Sequence, residues 1–216
     1  MKVLAVDTAL GACSAALLED ARVLARRFEP MERGHAERLA PMVEEVMHEA
    51  GAGFASLERL AVTTGPGTFT GQRIGLAFMR GLRVALHRPL AGITTLAAMA
   101  AQARAETGAA LAVAVHDARR DEVYIEIEDR LPPSVMTFDR AIEMLGTLGG
   151  QEPTALAGTA APRLCDALAN RFVMSSVRQP DALWVARLAE KAVAANTPPP
   201  PLYLRAPDAR LPATKT

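Results

Sequence analysis

Neither sign of charge prevails in this chain. Its 216 residues carry 24 Lys and Arg against 24 Asp and Glu, so no whole-molecule field is available to hold a polyanion. If nucleic acid matters, a local patch or a partner must supply the attraction. Cysteine is scarce as well: Cys13 and Cys165 make no disulfide framework, and both read as small buried residues. The N-terminal strand meets Asp7 too early for a secretion signal, so a reduced, cytoplasmic setting is expected. No apolar run approaches the ~20 residues that cross a bilayer. No Gly-Lys-Ser/Thr completes a Walker A loop, and no Gly-x-Gly-x-x-Gly precedes a helix. The four histidines form neither His-Glu-x-x-His nor His-x-x-x-His, which argues against a helical zinc site and against a metallopeptidase.

What is present is a globular pattern, half hydrophobic and 22% charged. Lys2 to Asp7, Ala12 to Leu18 and Arg22 to Phe28 read as a three-strand meander. From Gly34 the period changes to three and four, with Leu39, Met42, Val43, Val46, Met47 and Ala50 on one stripe. Gly51 and Gly53 stop this helix, and Pro41 is expected in or near its first turn. Arg59 to Thr64 is the next strand, followed by a helix from about Thr70 to His87, a strand Leu90 to Ile93, and an alanine-rich helix capped by Thr94 and running to Thr107.

The plan then starts again. Leu111 to His116 reaches Asp117, a polar turn follows, and Glu122 to Glu128 alternates as a strand. Ser134 to Phe138, Thr154 to Ala157 and Phe172 to Val177 are further strands; Ala141 to Leu148, Pro162 to Ala169 and Asp181 to Ala195 are helices. In the last, Trp184, Leu188 and Ala192 share a face. Two such units side by side predict an α/β protein with mixed sheets flanked by helices, in two duplicated half-domains, 1–107 and 108–216, with a cleft between them. The proline-rich stretch from 198 leads to Leu202 to Arg205, expected to pack back as an edge strand or extended arm.

The stretch Thr63-Thr64-Gly65-Pro66-Gly67-Thr68-Phe69-Thr70-Gly71-Gln72-Arg73-Ile74-Gly75 is a strand-to-helix turn, with Thr70 available as N-cap. It admits two readings. A glycine-rich loop opening a helix is an anion site, which would place Asp7, Thr8, Gly65, Gly67 and Thr68 near a nucleotide. Alternatively, the glycines give clearance for close packing. Asp7 reads first as a cap of the turn before Gly11, and its counterpart Asp117 as a turn or ion-pair residue. Arg73, Arg80, Arg83 and Arg88 make the second helix basic, as a solvated face or as a contact for acids or RNA phosphate. The first two helices carry more apolar positions than one core-facing stripe requires. A helix–helix interface using Leu39, Met42, Val43, Val46, Met47, Ala50, Gly71, Gly75, Phe78 and Leu82 is therefore expected. On that expectation Gly75→Leu or Val46→Glu should abolish partner binding and leave the fold intact.

Several of these segments together resemble the bacterial TsaB (YeaZ) family. They are Leu4-Ala5-Val6-Asp7-Thr8, Gly34-His35-Ala36-Glu37-Arg38-Leu39-Ala40-Pro41, the Gly65-to-Leu76 block, Thr94-Thr95-Leu96, Asp117-to-Tyr124 and Pro201-Leu202-Tyr203-Leu204-Arg205. The resemblance runs from residue 2 to 205 and is densest through residue 124. It implies an actin-like (ASKHA) ATPase fold and a non-catalytic scaffold role in making threonylcarbamoyladenosine at position 37 of tRNAs that read codons starting with A. Implied partners are the related TsaD-type enzyme, a TsaE-type ATPase, and tRNA through the complex, with a homodimer when the chain is alone and no membrane. No cofactor is implied for this chain by itself; ATP or ADP and metal belong to the partner complex. His35 is kept, while the paired metal histidines of the catalytic paralogue are missing, and Gly158-Thr159-Ala160-Ala161 only faintly echoes an adenosine motif. Ala36 and Gln72 depart from the family's usual residues. The competing reading is a small actin-like ATPase or kinase that uses Asp7, Thr8 and the 65–75 loop.

Overall fold

Two sheets of the same plan organise the chain. In the first, β1 (Lys2–Asp7) pairs antiparallel with β2 (Ala12–Glu19), which pairs antiparallel with β3 (Arg22–Pro30). On its other side β1 runs parallel to β4 (Arg59–Gly65), and β4 runs parallel to β5 (Leu90–Thr94), giving the order β3-β2-β1-β4-β5. The second sheet repeats this with β6 (Leu111–Arg119), β7 (Glu122–Ile127), β8 (Leu131–Thr137), β9 (Thr154–Ala157) and β10 (Val173–Met174), in the order β10-β9-β6-β7-β8. Orientations match strand for strand. This computed structural model describes residues 1–148, 153–169, 171–193 and 197–205.

Among the described residues six α-helices fill the connections: α1 (His35–Glu49), α2 (Phe69–Leu86), α3 (Thr95–Thr107), α4 (Phe138–Thr147), α5 (Ala161–Ala167) and α6 (Ala182–Lys191). Strand alternation decides which sheet face each helix meets. On β1, Leu4 and Val6 join Leu17, Leu60 and Leu90 under α1 and α2. Val3 and Ala5 point the other way, with Ala16, Ala61 and Ala91, and meet α6. On β6, Val113 and Val115 face α4 and α5, while Ala112 and Ala114, with Ala155 and Ala157, meet α3. The molecule is thus layered as α1 and α2, first sheet, α3 with α6, second sheet, α4 and α5. Alanine crowds the two sheet faces that look inward, which lets α3 and α6 lie close between the sheets. Each fully buried Leu or Val contributes about 1.5–3 kcal/mol, so the outer faces hold the heavier apolar contacts.

The strands of the two sheets fall on either side of the expected boundary at 107/108. The packing crosses it, because α3 of the first half covers the second sheet and α6 of the second half covers the first. The reason is connectivity: each half ends in a helix after its last parallel strand, and the space between the sheets is where both helices bury an apolar surface.

Several boundaries also move. Thr68, not Thr70, caps α2, its Oγ1 accepting the Gly71 N–H at 3.0 Å. Thr94 caps α3 as expected, through the Ala97 N–H at 2.9 Å. Pro41 lies inside α1, beyond its first turn. It is tolerated there because Pro41 and Glu37 are both exposed, so the carbonyl left without a donor can meet water. β10 covers only two of the six residues expected, and α6 ends at Lys191, with 194–195 outside the described residues. Leu202 to Arg205 form no strand; the Leu202 N–H reaches the Thr64 carbonyl at 2.8 Å.

Candidate functional site

The glycine-rich loop packs down onto the turn that follows β1. The Thr68 N–H donates to the Ala9 carbonyl at 2.9 Å, and a Cβ on Gly67 would stand 2.4 Å from that oxygen. One turn further, the Thr8 hydroxyl donates to the Gly71 carbonyl at 2.7 Å and accepts the Gly75 N–H at 3.0 Å. A Cβ on Gly71 would fall 2.2 Å from the Thr8 carbonyl oxygen, and one on Gly75 would fall 2.8 Å from Thr8 Oγ1. Gly65, at φ 112°, closes over the Gln72 side chain. The glycines therefore admit the chain's own β1–β2 turn. Thr8, Gly65, Gly71 and Gly75 are buried, and the Thr68, Gly71 and Gly75 amides are committed within the fold. Of the two readings of this loop, close packing is the one the geometry supports.

Asp7 ends β1 with no exposure to solvent. Its Oδ1 accepts the Thr63 hydroxyl at 2.5 Å and the Ala9 N–H at 3.2 Å, while Oδ2 has no partner. Burial pushes its carboxyl up to about 7, and the two hydrogen bonds only partly offset this. In the second sheet the equivalent position is Asp117, which is exposed; its N–H bonds Thr159 Oγ1 at 3.0 Å, and its Oδ1 accepts the Arg119 N–H at 2.7 Å. It lies within β6, paired with Val123, and not in the turn that follows. The preceding His116 is buried, its Nδ1 has no partner, and burial lowers the imidazole to about 4. Gly158, at φ 107°, presses against β6: a Cβ there would stand 1.8 Å from the Val115 carbonyl. Among the described residues no three His, Cys, Asp or Glu side chains gather as a metal-holding group.

The expected interface residues divide by burial. Leu39, Met42, Val43, Val46 and Met47 are at most 3% exposed and cover the first sheet. Gly71 and Gly75 are buried under the β1–β2 turn. The stripe these seven residues form is the one that α1 and α2 turn toward their own sheet and the β1–β2 turn. Ala50, Phe78 and Leu82 are half-buried at the rim of that core.

What α2 exposes is a different row, Arg73, Ala77, Gly81 and Ala85 at four-residue spacing, with Val84 beside it at 67% exposure. A Cβ at Gly81 would meet nothing within 4 Å. α1 exposes Ala36, Glu37, Ala40, Pro41, Glu44, Glu45 and His48. The two helices touch, so an acidic helix and a basic helix form one outward surface. On its strand side, Arg38 binds Glu29 at 2.6 and 2.7 Å and Glu45 at 2.8 Å, tying α1 to β3.

Sequence reasoning missed the cluster at the start of α2. Phe69 is 55% exposed, the Arg73 guanidinium carbon lies 3.5 Å from its ring centroid, and Arg73 Nε donates to the Tyr203 hydroxyl at 2.9 Å. Phe69 and Tyr203 stack at 5.7 Å. The i, i+4 spacing of Phe69 and Arg73 was visible in the sequence. Nothing local could reveal Tyr203, which the returning arm supplies from 130 residues away.

Two mixed sheets of one repeated plan, with helices on both faces, define an actin-like ATPase fold. The (R)-2-hydroxyglutaryl-CoA dehydratase component A of Acidaminococcus fermentans shares it at a TM-score of 0.57 and 12% identity, over 88% of this chain and 98% of that one. Within that class, the family profile "TsaD: tRNA N6-adenosine threonylcarbamoyltransferase" matches residues 27–144. The tRNA threonylcarbamoyladenosine biosynthesis protein TsaB of Escherichia coli is 42% identical over 124 residues, 57% of this chain and 53% of that protein. This match thus spans about half the length of that curated relative. A Pseudomonas aeruginosa protein described as similar to the peptidase YeaZ superposes with a TM-score of 0.81 at 31% identity, covering 94% of this chain and 99% of that one. The chain belongs to the TsaB (YeaZ) family. Among the described residues no helix is long and apolar enough to cross a membrane.

Proposed function

We propose that this chain is the non-catalytic partner subunit that binds and activates a homologous TsaD-type transferase in the threonylcarbamoylation of adenosine 37 of tRNAs reading ANN codons. The observation that carries the reading is the division of the α2 glycines: Gly71 and Gly75 are consumed by the fold, while Gly81, between Ala77 and Ala85, faces open space. Small residues one turn apart on an exposed helix let a second helix approach closely. The acidic face of α1 beside the basic face of α2 gives such a partner a fixed orientation. A TsaE-type ATPase joining the pair, tRNA held through the complex, and a homodimer of the chain when alone belong to the same proposal. ATP or ADP and metal would reside with the complex. A cytoplasmic location fits this role.

The ATPase or kinase reading has less support. It needs the Thr8 hydroxyl and the loop amides for phosphate, and these groups already bond each other. The test is co-expression with the paralogue, followed by size exclusion and measurement of threonylcarbamoyladenosine in tRNA. Co-elution and a modified tRNA that depends on this chain are expected. Separate elution, with product formed equally without the chain, would overturn the proposal.

A further inference from the structure

A groove of about 520 Å³ opens between α3 and α6, at the opposite end of the sheets from Asp7 and Asp117. The β2–β3 turn at Ala21 borders it on one side and Glu128, just past β7, on another. Its origin lies in the alanine-rich sequence of α3. Ala101 and Ala105 are too small to fill the space opposite Trp184, where larger side chains would close the layer between the sheets.

The chemistry lining this groove is specific. Trp184 is the single tryptophan of the chain, and the Arg187 guanidinium carbon lies over its ring at 4.5 Å. Lys191 follows one turn later on the same side of α6. The other charges at the groove are accounted for: Arg104 pairs with Glu128, and Glu190 accepts the Ala21 N–H at 2.9 Å. Arg187 and Lys191 have no ion-pair partner among the described residues. The groove therefore presents two unpaired cations beside a planar aromatic and guanidinium stack, against small apolar walls.

We propose that this groove binds a nucleotide, either free or as one unit of an RNA strand. The base stacks on the Arg187–Trp184 plane, as bases do on guanidinium and aromatic faces. The phosphate is held by Lys191 and Arg187. The volume lies within the range of small-ligand pockets. An acidic peptide would satisfy the two cations but leave the stacking plane unused, so the flat ring decides the class. The site is separate from the α1–α2 surface and does not depend on the partner role of that surface.

Because the chain has one tryptophan, its fluorescence reports on this groove directly. The full chain is titrated with AMP, adenosine, a short single-stranded RNA and an acidic peptide, with calorimetry alongside to exclude absorption artefacts. AMP is expected to quench Trp184 saturably and to release measurable heat, with adenosine at least about tenfold weaker for want of the phosphate. Arg187→Glu with Lys191→Glu abolishes the binding; Lys191→Ala weakens it about tenfold. Arg187→Gln with Lys191→Gln, checked by circular dichroism, serves if the charge reversal unfolds the chain. RNA binding well above AMP identifies a strand as the natural source, and equal affinity identifies the free nucleotide. No saturable response to AMP or RNA, a response unchanged in the folded variants, or an acidic peptide matching AMP would overturn the assignment.

Discussion

The Thr8 hydroxyl and the Gly75 N–H meet at 3.0 Å, across 67 residues of sequence, and this contact fixes how the β1–β2 turn seats on α2. The same oxygen donates to the Gly71 carbonyl, so one side chain serves two backbone groups of the helix. Thr8→Val keeps the shape and removes both bonds. It is expected to cost about 1–3 kcal/mol, read as a lower denaturation midpoint with an unchanged m-value. Thr8→Ser should retain most of the stability. Gly75→Ala drives a methyl to 2.8 Å from Thr8 Oγ1 and should destabilise by about 1–3 kcal/mol. The double variant Thr8→Ala with Gly75→Ala should cost less than the sum, because the clash and the lost bond share one atom.

Val46→Glu provides a second test. Val46 has no solvent exposure and packs in the core under α1, so an ionised carboxylate there has no partner. The substitution is expected to unfold the chain, measured by circular dichroism and loss of a cooperative melt. A folded Val46→Glu protein that merely failed to bind a partner would instead place Val46 on a partner surface. Gly75→Leu is likewise expected to fail in folding.

Asp7 and His116 give opposite pH dependences over one window. The folded Asp7 pKa, about 7, is above its unfolded value near ~4, so folding favours its protonated form. Its contribution is largest below pH ~4 and is lost as pH rises toward 7. The folded His116 pKa, about 4, is below its unfolded value near ~6.5, so its contribution is present at neutral pH and lost as pH falls from about 6.5 to 4. Asp7→Asn should make the chain more acid-labile and, near pH 8, less penalised by a buried charge. His116→Gln should do the reverse in acid. Denaturation midpoints from pH 4 to 8 separate the two. Parallel curves for the wild type and both variants would contradict this assignment.

Much of the fold was legible because its units are local. The repeated pattern of strand, acid, turn and strand at Asp7 and Asp117 announced the duplication, and Thr94 announced the start of α3. The exchange of α3 and α6 between the sheets was not legible, since apolar periodicity states how much a helix buries and not against which sheet. The site suffered from the same blindness. Leu39 to Met47 form an apolar stripe, and a stripe serves a core or a partner equally well until the sheet is in place. The glycines were likewise indistinguishable in sequence: Gly75 and Gly81 differ only in whether Thr8 or open space lies beyond the α-carbon.

Gly81 also sets stability against function. With nothing within 4 Å of a Cβ, Gly81→Ala should stabilise α2 by about 0.5–1 kcal/mol, seen as a raised Tm. A lowered Tm would mean that the helix needs glycine there for its own backbone.

The central claim, that the outward row of α2 is the surface a TsaD-type paralogue uses, is tested most directly by the Kd for that paralogue. The comparison is between the wild-type chain and Gly81→Arg, each shown folded by its melt. Binding weakened by at least about a hundredfold, at unchanged or raised Tm, is the predicted result, since a long cation would fill the space left for close helix approach. An unchanged Kd would contradict the account.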